Sequence, residues 1–177
     1  MKILVAEDES SISAVYRLAL EDRGHQIILT NDGQECVNAY EEALSKLADK
    51  SEAYLTVHPP FDAVILDYRM PKMDGMDAAK SILQKNPHQR IIFASAYVLS
   101  TLQESVKNLH AIVELLQKPF ELSVLVDTVE DKEMFEALKK INVDINAIQG
   151  WNPTHEQLRE LLQSLKKLHK QSPLVNC

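Results

Sequence analysis

The chain has 177 residues, 45% of them hydrophobic and 25% charged, and carries a formal net charge of −7. That balance is the one expected of an ordinary soluble globular protein, with no apolar run near the ~20 residues that cross a bilayer. Nucleic-acid binders usually present a basic surface, so the acidic surplus disfavours direct DNA contact without excluding a local basic patch.

The first segment, Met1-Lys2-Ile3-Leu4-Val5, leads straight into Glu7, Asp8 and Glu9, which predicts no signal peptide and a cytoplasmic protein. Ile3–Ala6 reads as a buried strand. Ile12, Val15, Tyr16, Ala19 and Leu20 follow at helical spacing, and Gly24 closes that helix. Gln26–Leu29 is a second strand, and Gln34 to about Leu47 a second helix containing Cys36. Cys36 and Cys177 form no metal-binding spacing and read as reduced thiols. Phe61–Leu66 is almost continuously apolar, as a central parallel strand should be. A third helix runs from about Asp77 to Lys85 and stops before Pro87. Arg90–Ala94 is the fourth strand, with a helix near Thr101 to Leu109, and Ile112–Leu116 the fifth, with a helix after Pro119.

From about Val129 the pattern changes to helices without strands. Met134, Phe135, Leu138 and Ile141 share one face, and Leu158, Leu161, Leu162, Leu165 and Leu168 another. Thr154 and Gln157 suit a capping box at the start of that last helix. The expected organisation is a first domain over residues 1–128, with an insertion at about 45–60, and a helical extension over 129–177.

Five strands alternating with helices imply right-handed crossovers and a parallel sheet covered on both faces. In such sheets the functional site lies beyond the carboxyl ends of the strands, where the strand order reverses. Glu7 and Asp8 follow the first strand, Asp67 the third, Ser95 the fourth and Lys118 the fifth. Three carboxylates brought together repel one another and invite a hard divalent cation, such as Mg2+ with its oxygen ligands and retained waters.

The Glu7-Asp8 pair, the run Asp67-Tyr68-Arg69-Met70-Pro71-Lys72-Met73-Asp74-Gly75, Ser95-Ala96 and Lys118-Pro119 resemble the receiver domains of two-component response regulators. The resemblance covers roughly the first 130 residues. It implies a doubly wound, flavodoxin-like sheet in the order 2-1-3-4-5. It also implies that Asp67 accepts a phosphoryl group from a histidine kinase or phosphotransfer protein. Asp8, Asp67 and the Arg69 backbone carbonyl would then hold Mg2+, with Glu7 acting through water. Lys118 would pair with the phosphoryl oxygens and Ser95 would donate a hydrogen bond to them. Such transfer rests on positioning and charge neutralisation rather than covalent work by the protein. Apart from phosphotransfer to and from its own aspartate, no enzyme activity is expected. In that family the bond corresponding to Lys118–Pro119 is cis. Glycine in the loop after the third strand is expected to permit a backbone conformation that other residues resist.

Three departures stand out. Glu7 stands where the family often has aspartate, and the stretch from Ser45 to Pro60 is long. Leu115 occupies the position, three residues before Lys118, that often carries an aromatic readout residue. Tyr97, Arg69 and Ala96 are the expected modulators of the site. Tyr97 with Arg69 would hinder attacking water and give a long-lived phosphoaspartate. Output is expected through protein contacts: a homodimer, or an effector bound by the face of the 101–109 helix, the fifth strand and the following helix, or by the C-terminal helices. One alternative is a transcriptional regulator whose helical extension binds DNA, although no basic recognition helix is evident. Another is a phosphohydrolase of the haloacid dehalogenase type, disfavoured because Arg69 stands where that family has its second aspartate.

Overall fold

Apolar runs of four or five residues form the centre of the fold, because parallel strands covered on both faces must be apolar on both. The computed structural model describes residues 1–47, 59–96, 109, 113–131 and 160. The elements are β1 (Lys2–Ala6), α1 (Ser10–Glu21), β2 (Gln26–Thr30), α2 (Gly33–Ser45), β3 (Ala63–Leu66), α3 (Gly75–Lys85), β4 (Ile91–Ser95), β5 (Val113–Gln117) and α4 (Leu122–Glu130). The strands form one parallel sheet in the order β2-β1-β3-β4-β5, as expected from the sequence. The expected helix near 101–109, most of the 45–60 insertion and nearly all of the extension fall outside the described residues.

Side chains alternate across each strand, so β1, β3, β4 and β5 each feed two cores, while the edge strand β2 packs Ile27 and Leu29 into one and leaves Ile28 exposed. Leu4, Val64, Leu66, Ile91 and Phe93 pack with α2 and α3 on one face, around Tyr40, Met76 and Ile82. Ile3, Val5, Ile65 and Ile92 pack with α1 and α4 on the other, around Tyr16, Leu20, Leu125 and Val129. Leu115 is partly buried against the first of these cores.

Element ends follow local hydrogen bonding. Asp32 caps α2 by accepting the Glu35 N–H at 2.8 Å, and Asp74 caps α3 by accepting the Asp77 N–H at 2.8 Å. Both helices therefore begin with a glycine immediately after the capping aspartate, slightly earlier than their apolar periodicity suggests. Phe61 and Asp62 precede β3 instead of opening it. Asp62 is held by a different bond, in which its carboxylate accepts the Lys2 N–H at 2.8 Å.

Candidate functional site

The strand order reverses at β1, whose neighbours are β2 and β3. Ala6 is in register with Leu66, so the next residues of the two strands, Glu7 and Asp67, emerge side by side. The Asp67 N–H donates to the Ala6 carbonyl at 2.9 Å, and the Glu7 N–H to that of Thr30 at 3.1 Å. Ser95, buried at the end of β4, is in register with Gln117. Its carbonyl accepts the Lys118 N–H at 2.8 Å, which fixes the backbone of the lysine beyond β5. The Lys118–Pro119 peptide bond is cis.

From there Lys118 reaches across the sheet. Its Nζ donates to Glu7 Oε2 at 2.6 Å and to Asp67 Oδ1 at 2.8 Å. The other oxygen of Asp67, Oδ2, accepts the Arg69 N–H at 2.8 Å. Glu7 is 2% exposed. Burial pushes its carboxyl above the ordinary range, although the hydrogen bond and charge of Lys118 oppose the shift. Burial works against the Lys118 ammonium too, but the hydrogen bonds to Asp67 and Glu7 outweigh it and hold the pKa above the usual lysine value. The cluster is thus a half-buried ammonium shared by two carboxylates.

Asp8, the next residue along, is exposed and is not a partner of Lys118. Arg69 and Ala96 are exposed as well, and Tyr97 lies outside the described residues. Among the described residues no group of three His, Cys, Asp or Glu side chains is gathered into a metal-binding cluster. Glu7, expected to act on a metal through water, makes a direct ion pair with Lys118 that its place in the sequence does not reveal. Tyr16 reads in the sequence only as part of an apolar helix face, yet its ring centroid lies 6.0 Å from Lys118 Nζ. Nothing in the periodicity of α1 distinguishes that position from its neighbours.

The loop from Asp67 to Gly75 corrects one expectation. Gly75 does not have a left-handed backbone; among non-glycine residues described, that conformation belongs to Lys72, at φ 62°. Gly75 is required by close approach, since a Cβ there would sit 2.0 Å from the Asp67 carbonyl oxygen. Its N–H donates to the Tyr68 carbonyl at 3.0 Å, folding the loop back on itself. Lys72 ties the loop to the buried Asp32 cap, with Nζ 2.6 Å from Oδ2. Replacing Gly75 with alanine is expected to cost about 1–3 kcal/mol by overpacking. Urea unfolding of the variant checks this, and an unchanged midpoint would mean that the loop can open without cost.

The sequence profile of the response regulator receiver domain matches residues 3–130. The chain belongs to this family. Among curated relatives, the receiver is 32% identical over 130 residues to the transcriptional regulatory protein PdtaR of Mycobacterium tuberculosis, covering 73% of this chain and 55% of that protein. It is 30% identical over 130 residues to response regulator RR06 of Streptococcus pneumoniae, covering 73% of this chain and 52% of the relative. The chain therefore spans about half the length of these relatives. Among solved structures, a receiver domain protein from Clostridium thermocellum superposes with a TM-score of 0.61 at 25% identity, over 78% of this chain and 98% of that one. A chain of the CheX–CheY complex with BeF3 and magnesium from Borrelia burgdorferi shares the fold, with a TM-score of 0.61 at 24% identity over 74% of this chain and 87% of that chain. Receiver domains are signalling switches that work with histidine kinases or phosphotransfer proteins. Among the described residues of this receiver, no helix is long and apolar enough to cross a membrane.

Proposed function

We propose that this receiver accepts a phosphoryl group on Asp67 from the phosphohistidine of a histidine kinase or phosphotransfer protein. An Asp67 carboxylate oxygen attacks phosphorus, the phosphorus–nitrogen bond breaks, and its electron pair leaves with the imidazole, which takes up a proton. The observation that carries this reading is the ammonium of Lys118, 2.8 Å from Asp67 Oδ1 and anchored from the other side by Glu7. A carboxylate attacks an anionic phosphoryl group only where charge is neutralised, and a preorganised ammonium supplies that neutralisation without reorganisation.

Lys118 offsets only one of the charges of Glu7, Asp8 and Asp67, and the available donors are all oxygen. That set suits Mg2+, which is commonly held by one or two carboxylates and retains several waters, so no three-residue cluster is required. Asp8, Asp67 and the Arg69 carbonyl would hold the ion, with Glu7 acting through water. When bound, it would neutralise phosphoryl charge. The Ser95 hydroxyl would donate to a phosphoryl oxygen, and protein partners would read the phosphorylated state.

The test is incubation with acetyl phosphate and magnesium, followed by intact-mass measurement. Wild type is expected to gain a single phosphoryl group, while Asp67→Asn gains none and chelation of magnesium abolishes the gain. Uptake that persists in Asp67→Asn would place the acceptor elsewhere.

A further inference from the structure

A lysine side chain is a flexible four-carbon stem ending in a strongly hydrated point charge, and two neighbouring carboxylates do not by themselves fix its direction. In this receiver a groove of about 630 Å3 opens beside Lys118, lined by Tyr16, Ala96, Pro119, Phe120 and Leu122 among others. An ammonium free to swing into it would leave Asp67. Tyr16 forms part of the wall of this groove. It lies on the buried face of α1 with Ser13 and Leu20, and is 4% exposed. Its ring stacks on Phe120, two residues beyond the lysine, with centroids 5.9 Å apart and planes inclined by 20°. The same ring lies 6.0 Å from Lys118 Nζ. Burial, together with the charges of Glu7 and Asp67, holds the phenol above its ordinary pKa, so it remains neutral next to the cluster.

We infer that Tyr16 is a positioning residue for Lys118, its ring bracing the lysine side chain in the pose that meets the phosphoryl group on Asp67. This rests on the proposed phosphoryl transfer to Asp67, and Tyr16 touches no phosphoryl atom itself. The cation–ring distance lies at the outer limit of about 6 Å at which such attraction matters, so the wall supplied by the stacked rings carries more of the effect than the attraction does. Both contacts are made by the ring. Phenylalanine should therefore substitute for tyrosine, and an aliphatic side chain should not.

The experiment compares wild type with Tyr16→Phe, Tyr16→Leu and Leu20→Val, the last altering a fully buried residue of the same helix. Tyr16→Met serves as a second non-aromatic variant should the leucine variant fold poorly, and circular dichroism selects the folded proteins. Phosphorylation by acetyl phosphate is followed by intact mass as a function of donor concentration, and Mg2+ affinity is measured by calorimetry. The non-aromatic variants are expected to lose roughly tenfold in maximal rate, below the ~10²-fold that a misplacement of about 1 Å can cost. Their half-saturating donor concentration and Mg2+ affinity should stay near wild type, and Tyr16→Phe and Leu20→Val should keep the wild-type rate. A wild-type rate in both non-aromatic variants overturns the inference. So does an equal loss in Tyr16→Phe, which would assign the role to the hydroxyl, or in Leu20→Val, which would reduce it to general packing. If wild type itself takes up no phosphoryl group, the proposed function fails and the inference with it. Normal uptake on Asp67 with unaffected Tyr16 variants removes the inference alone.

Discussion

Alanine in place of Lys118 is expected to slow phosphoryl uptake from acetyl phosphate by roughly 10²–10³-fold, the loss typical of removing one preorganised donor at a centre of developing charge. The ammonium donates to both Glu7 and Asp67. Without it, two adjacent carboxylates confront an incoming anion, and Glu7 loses the partner that opposes the upward push of burial on its carboxyl. Arginine should not restore the rate, because a planar guanidinium presents its donors in a fixed fork and needs more room than a single ammonium. Intact-mass time courses of Lys118→Ala and Lys118→Arg, with circular dichroism to confirm folding, check this. An alanine variant that is phosphorylated as fast as wild type would show that the lysine has no part in transfer.

The largest loss of stability is expected away from the site, at Arg90. Its guanidinium is 2% exposed and forms a two-pronged ion pair with Glu114, 4% exposed, through Nε–Oε2 at 2.6 Å and Nη2–Oε1 at 2.9 Å. Nη1 also donates to the Val129 carbonyl at 2.8 Å, and Nη2 to the Thr128 carbonyl. These carbonyls lie in the last turn of α4, where helical acceptors lack partners within the helix. One side chain, immediately before β4, thus joins the start of β5 to the end of α4. Removing it takes the two-pronged ion pair from the buried Glu114 carboxylate and the arginine donor from two carbonyls. Arg90→Met should therefore cost about 3–5 kcal/mol. In a chain of this size that lowers Tm by roughly 6–20 °C. The double variant Arg90→Met/Glu114→Leu should recover most of the loss, since apolar replacement of a whole buried pair is often neutral. Thermal and urea unfolding of the single and double variants tests both statements. A double variant no more stable than the single one would mean that the α4 carbonyls, rather than Glu114, account for most of what the arginine contributes.

Much of the fold was legible because its signals are local. A strand covered on both faces needs an unbroken apolar run, and a helix packed on one side needs the 3.6-residue period. Those two patterns placed all nine described elements to within a few residues. The parallel sheet then put Glu7, Asp67, Ser95 and Lys118 at the same edge, because every strand ends there. Gly75 was readable as a necessity of the loop but not for its actual reason. A forbidden Cβ contact with the Asp67 carbonyl depends on how the loop folds back, and no single residue type reveals that.

Which elements form, their direction, and the edge of the sheet where the charged residues collect are all written in the order of residues, since each follows from hydrogen bonding and burial within short stretches of chain. The folded chain alone brings Lys118 to Glu7, 111 residues away, as well as to Asp67, and stands Tyr16 beside it. Folding likewise closes Arg90 on Glu114 and on the end of α4. Such contacts are set by strand register and by how helices seat on the sheet. Their partners come from different elements, so no periodicity along the chain encodes them.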